Sequence, residues 1–162
     1  MNCIECGVAM TTRLENYKYE ACGLRYVTLK GIEVSRCPAC GNYEVAIPRI
    51  DDLHRLIAKC LVEKVTRFTG MEIRFLRKCL DLSGAKFARR MGVTLETVSR
   101  WENDVVPIGT QADRLLRLLV AQGRLATRYP AEKLDLINSR DASETRLGVK
   151  MGSRAWAVET CA

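Results

Sequence analysis

From residue 51 to residue 120 apolar side chains recur at three- and four-residue spacings, the period of helices that bury one face. Leu53, Leu56, Ile57, Cys60 and Leu61 predict an amphipathic helix over 51–65. Ile73, Leu76 and Leu80 predict a second, opened by Thr69-Gly-Met-Glu72, where threonine and glutamate stand at the spacing that satisfies each other's backbone donors. Phe87, Ala88 and Met91 mark a short third helix, and Gly92 ends it because glycine enters the left-handed conformation without steric cost. Val93 fills the angle of the turn, and Thr94 caps a fourth helix from Leu95 to Asn103. On that helix Val98 and Trp101 point inward, leaving Glu96, Thr97, Ser99 and Arg100 outward. A fifth pattern follows Pro107 and Gly109, with Thr110 as cap, through Ala112, Leu115, Leu116, Leu119 and Val120. It holds more leucine than one small core needs, with Leu118 facing away from Leu116, so a homodimer seam competes with ordinary core.

Before residue 50 the pattern is β. Residues 17–22, 24–29, 32–36 and 43–47 are short runs rich in β-branched or aromatic side chains, separated by Gly23, Lys30-Gly31 and Gly41-Asn42 and ended by Pro48. After Arg128 no period persists. Serine, threonine, glycine and balanced charge there predict a largely disordered tail over 127–162, with Trp156 as a docking point. The chain has neither an apolar run long enough to cross a bilayer nor a charged-then-apolar leader, so a cytoplasmic protein is expected.

The eight cysteines bring in chemistry. Cys3-x-x-Cys6 and Cys37-Pro-Ala-Cys40 are each followed by glycine, and two such knuckles complete a closed four-thiolate site for one structural zinc per chain. That metal would stabilise a ribbon of strands too small to stand alone. An iron–sulfur centre uses the same donors and stays open as an alternative. A redox pair at Cys37 and Cys40 lacks the surrounding strand–helix–strand pattern, and a zinc deaminase lacks its His-x-Glu. Cys22 lies on a predicted hairpin between the knuckles. Cys60 and Cys79 read as small buried hydrophobes, Cys161 as exposed and His54 as a helix-surface residue.

Charge sharpens the picture. The formal net charge is +7, of which the segment 67–128 carries +6. The excess therefore coincides with the paired short helices, as phosphate binding requires. An amphipathic helix with an arginine on its outer face suits the DNA major groove. The candidate DNA-contacting residues are Lys86, Arg89, Arg90, Thr94, Glu96, Thr97, Ser99 and Arg100, with Arg89 and Arg90 set for phosphates. One histidine, a closed thiolate site and no nucleophile–base pair leave no place for catalysis.

Residues 83–103, with their Val98-Ser-Arg-Trp-Glu-Asn103 run, resemble the helix-turn-helix of the Cro/repressor (XRE) family. With the two knuckles, the 31–41 run, Ile47-Pro48 and 69–78, the chain to about residue 125 resembles the MqsA/YgiT-type zinc-finger antitoxins and related XRE regulators. The resemblance implies an α+β chain: a zinc ribbon over 1–48, a connecting helix over 49–66, and an all-α helix-turn-helix domain over 67–126. It implies a toxin partner on the N-terminal half, and a homodimer that binds a palindromic double-stranded operator and represses its own operon. That would place the protein at the nucleoid. The family's major-groove readers, four apart, map onto Glu96 and Arg100. Many members carry asparagine at the first of these, and glutamine where this chain has Gly84. A free-standing XRE-type regulator without a toxin, or a zinc-ribbon interaction protein, are the alternative functions.

Overall fold

The computed structural model describes residues 1–125 and 128–161, with backbone alone for 138–141 and 161. In chain order the elements are β1 (Thr11–Lys18), β2 (Val27–Arg36), β3 (Tyr43–Val45), α1 (Ile50–Glu63), β4 (Thr66–Arg67), α2 (Gly70–Cys79), α3 (Gly84–Met91), α4 (Leu95–Glu102), α5 (Thr110–Val120), β5 (Asn138–Ala142), β6 (Leu147–Met151) and β7 (Trp156–Cys161).

Strand β2 is the spine of the sheet. It buries Val27 and Leu29 in its first half and Ile32 and Val34 in its second, a switch of parity that a regular strand cannot make. The switch is a bulge: Lys30 and Gly31 together face Asn16, and Gly31 takes φ +60° while its N–H donates to Asn16 Oδ1 at 3.2 Å. The break expected at Lys30-Gly31 is thus a kink inside one strand, not a turn between two. β1 pairs antiparallel with β2 along one side as an edge strand, mostly exposed, which is why residues 11–16 give no apolar signal. Residues 20–22, expected to extend a strand, form one 3-10 turn ending at Gly23.

The expected division into a small zinc ribbon and a separate all-α helix-turn-helix domain does not hold. On its other side β2 pairs with β3 through its second half and with the tail strand β6 through its first, Val27 facing Leu147 in a parallel pairing. β7 then pairs antiparallel with β6, giving a five-stranded sheet to which the chain's two ends both contribute. The physical reason is the free side of β2. Its unpaired backbone between Val27 and Lys30 needs a ladder partner, and Leu147 and Val149 bring two apolar side chains to the same buried layer. One apolar cluster runs from Tyr19, Val27 and Val34 through Leu53, Leu61 and Phe68 to Leu116, Val120 and Trp156, so no core boundary falls at residue 48 or 66.

The expectation of a disordered tail is corrected with it. Residues 131–134 form a 3-10 turn, β5 pairs parallel with β4, and β6 and β7 join the sheet. Trp156 is buried and its Nε1 donates to the carbonyl of Pro48 at 2.9 Å. The expected boundary at 126 and 127 lies outside the described residues, as does any statement on the Cys161 side chain.

The five helices stand where their spacings place them, although the N-cap of α5 is Gly109 rather than Thr110. Thr69 donates its N–H to Glu72 at 2.8 Å, the backward half of the capping box. Glu72 is fully buried and takes two more partners, the Tyr26 hydroxyl at 2.6 Å and Lys64 Nζ at 2.5 Å. These bonds tie the sheet to α2.

His54 is half-buried on α1 rather than a bare surface residue. The Tyr19 hydroxyl lies 2.9 Å from its Nε2, the two rings stack at 5.9 Å, and Phe75 meets it edge-on at 5.8 Å. Burial, opposed by Asp51 and aided by Arg124, holds its pKa below the ordinary 6.5. In the window between the two values the unfolded chain binds more protons, so stability is complete above about pH 6.5 and declines as pH falls through that window. The urea midpoint is expected to drop between pH 7.5 and 5.5, and less so in His54→Gln. Equal slopes for the two proteins would reject this role for His54.

Candidate metal centre and nucleic-acid interface

The two knuckles meet at one end of the sheet. Gly7 and Gly41 adopt φ of +74° and +76°, the left-handed conformation that closes each loop, and donate their N–H groups to the carbonyls of Cys3 and Cys37 at 2.8 and 3.1 Å. Cys3 in turn donates to Val8 and Cys37 to Asn42, so both loops are pinned before any metal is considered. The four sulfurs of Cys3, Cys6, Cys37 and Cys40 all lie within 4.8 Å of one another. The Cys6 and Cys37 sulfurs lie 3.3 Å apart and those of Cys3 and Cys40 3.5 Å apart. Sulfurs about 2.3 Å from a tetrahedral ion stand about 3.8 Å apart, so the cluster has the dimensions of a closed four-thiolate site. Cys3 and Cys37 are buried, Cys6 and Cys40 exposed.

The two buried thiols are shifted toward the thiolate form that a cation binds, whereas, against backbone bonds, bonds to the neighbouring sulfurs raise those of Cys6 and Cys40. Burial raises the Cys3 thiol, but backbone bonds from Cys6 and Glu5 and side-chain bonds from Cys40 and Asn42 outweigh it and hold the group at about 6. Cys37 is also lowered, first by the Cys40 backbone. Cys22 stands apart from the cluster, its thiol donating to the Tyr19 carbonyl at 3.0 Å, and burial raises its pKa. Cys60 and Cys79 pack in or against the core.

The second constellation is the α3–α4 pair. Ser83 caps α3 by accepting from the Lys86 N–H, Gly92 ends it at φ +69°, and Thr94 caps α4 by accepting from the Thr97 N–H at 3.1 Å. Phe87, Ala88, Met91, Val98 and Trp101 are buried between and beneath the two helices. Lys86, Arg89 and Arg90 are exposed, without an ion-pair partner among the described residues. On α4, Glu96, Ser99 and Arg100 are exposed and Thr97 is half-buried. Five of the eight candidates are partly engaged within the chain: Thr94 and Thr97 share their hydroxyls at 2.9 Å, and Asn103 donates to the Ser99 carbonyl at 2.8 Å. Arg100 bonds Glu96 at 2.7 Å across one helical turn.

One positioning group escaped the sequence reading. Glu102, the residue after Trp101, accepts from Arg77 Nε at 2.5 Å and from Arg74 Nε at 3.2 Å, clamping the end of α4 to α2. Gly70 makes the approach possible, since a Cβ there would stand 2.6 Å from the Trp101 carbonyl oxygen. The signal available was the pair Arg74 and Arg77 on one face of a helix otherwise read only for its apolar side. Comparison of the chain with known protein families, with curated proteins and with solved structures gives no match. Among the described residues no helix is long and apolar enough to cross a membrane.

Proposed function

We propose that this chain is a sequence-specific DNA-binding transcriptional repressor that carries one structural zinc ion on Cys3, Cys6, Cys37 and Cys40. The observation that carries the reading is the α3–α4 pair, clamped from behind by Arg77 and Glu102. It offers Lys86, Arg89, Arg90 and Arg100 on its exposed side, within the segment that holds nearly all the excess positive charge. Leu115, Leu118, Val105 and Val106 are exposed and apolar, which supports a homodimer on a palindromic operator with half-sites about one helical turn apart. The antitoxin form of this reading, with a toxin on the N-terminal half and control of its own operon, is supported by the sequence resemblance and by the exposed edge strand β1, where a protein partner can pair.

Arg100 is assigned to a base edge, reading guanine through O6 and N7, with Glu96 accepting from a neighbouring cytosine. The Arg100–Glu96 pair does not stand against this. Both side chains are more than half exposed, and an exposed pair of this spacing contributes only about 0.3–0.5 kcal/mol. A bidentate guanine contact discriminates by about 1–3 kcal/mol, so DNA outcompetes Glu96 for the guanidinium. Arg100→Ala is expected to cost that amount on the cognate site and little on scrambled duplex. Arg89→Ala is expected to weaken both alike and flatten the salt slope by about one unit. Titration of both duplexes measures this. An unchanged ratio of the two affinities in Arg100→Ala removes the readout assignment, and binding of neither duplex by the parent chain removes the reading itself.

A further inference from the structure

Lys18, Thr28, Gly148 and Thr160 stand in one row across four strands: Lys18 faces Thr28, Thr28 faces Gly148, and Gly148 faces Thr160. Thr28 and Lys30 alternate with the buried Val27 and Leu29, so they lie on the face of the sheet turned away from the core. Above this row is a cavity of about 510 Å³, walled by the cations Lys18, Arg25, Lys30 and Arg146 and the hydroxyls of Thr28 and Thr160. Glu144 is the acid in that wall. DNA binding through α3 and α4 makes no use of it.

Two features give the cavity its form. Between Gly148–Thr160 and Val149–Val158 the pairing of β6 with β7 skips a residue, and the extra one, Glu159, reaches Lys30 Nζ at 2.8 Å. Gly148 leaves the floor open for that lysine. A Cβ there would stand 2.2 Å from Thr160 Oγ1 and 2.9 Å from Lys30 Cε. Arg25, largely exposed, pairs with Glu144 at 3.5 Å, whereas Lys18 and Arg146 have no ion-pair partner among the described residues.

We infer that this cavity binds an oligophosphate group carried on a small molecule. With Lys30 paired to Glu159 and Arg25 to Glu144, the unpaired Lys18 and Arg146 leave the concavity a net positive charge, and a guanidinium matches phosphate oxygens two at a time. The threonine hydroxyls supply shorter, directional bonds from the floor. The volume is that of a small-ligand site, and the carboxylates of Glu144 and Glu159 beside it favour a compact anion over a nucleic-acid strand that must run on past them.

The test is calorimetric titration of the full chain with inorganic pyrophosphate at fixed ionic strength, with sulfate as the reference anion. Pyrophosphate is expected to bind at least about tenfold more tightly than sulfate. Lys18→Gln combined with Arg146→Gln is expected to weaken it by about tenfold or more, and Lys18→Gln alone by about threefold. A control that removes two charges elsewhere, Arg55→Gln with Lys59→Gln, is expected to change it by less than about twofold. The proposal is overturned if pyrophosphate binds no better than sulfate, or if the cavity variants lose no more than the control. It is also overturned if a single-stranded oligonucleotide binds this face and pyrophosphate does not.

Discussion

Replacing Asp113 by alanine is expected to destabilise the protein by about 3–5 kcal/mol, the largest single-residue effect outside the cysteines. Asp113 and Arg117 are both fully buried on α5. Arg117 Nε donates to Asp113 Oδ1 at 2.6 Å, and its two terminal nitrogens donate to the carbonyls of Val62, Lys64 and Thr66. Phe68 donates its N–H to the other carboxylate oxygen at 2.9 Å and lays its ring 4.4 Å from the guanidinium carbon. One ion pair therefore satisfies the backbone where the chain leaves α1, forms β4 and enters α2. Loss of the carboxylate leaves a buried guanidinium without its counter-charge and an amide without its acceptor, and each is expensive to keep dry. Replacing Arg117 as well, by methionine, removes the uncompensated charge, so the double variant is expected to be less unstable than the two single losses added together. Urea denaturation of the four proteins reads this directly. A cost below about 1 kcal/mol for Asp113→Ala would show that water reaches the pair and that it behaves as a surface bridge.

How much of this was legible in the sequence depends on the scale at which each residue acts. Period alone places the helices, because Leu53 to Leu61 or Phe87 to Met91 meet the core through one face whatever the core contains. The knuckles are legible for a different reason: two thiols with two residues between them, and a glycine after the pair, already make half of a tetrahedron. What the pattern misses is non-local. Leu147 and Val149 are two apolar side chains among small and charged neighbours, and only their position beside the free half of β2 makes them a strand. β1 is mostly exposed and its assignment rests on the ladder to β2, which no alternation reports. Nor does a helical count reveal that Asp113 and Arg117, spaced like a surface pair, are sealed under Phe68, or that His54 stacks on a tyrosine from the sheet. The separation into ribbon and helical domain fails on the same ground: it treats 1–48 as too small to share a core, when the tail completes the sheet and the helices cover it.

That shared core decides what loss of the metal does. Cys37→Ser is expected to reduce bound zinc from near one equivalent to near zero, and to lower the stability of the whole molecule rather than melt an independent ribbon. The knuckle over 37–41 follows directly from Arg36, the last residue of β2, which faces Thr11 of β1. Without the ion, four converging thiols lose their common partner and the loops around Cys3 and Cys37 come free. The ladder then frays from the Thr11–Arg36 end toward Ile32 and Val34, which pack in the same cluster as Leu53 and Phe68. Because the binding free energy of such an ion enters the folding free energy, and is about 10–16 kcal/mol in isolated zinc-finger peptides, even a fraction of it exceeds the margin of a chain this size. A thermal scan by circular dichroism is expected to show one transition, shifted to lower temperature in Cys37→Ser and by a strong chelator alike. Hydrogen exchange is expected to quicken in α2 as well as in β2. Two separate transitions, with the helical one unmoved, would instead restore independent halves. Less than about half an equivalent of zinc in the parent protein, or a visible iron–sulfur absorption band, would reject zinc as the ion that these thiolates hold.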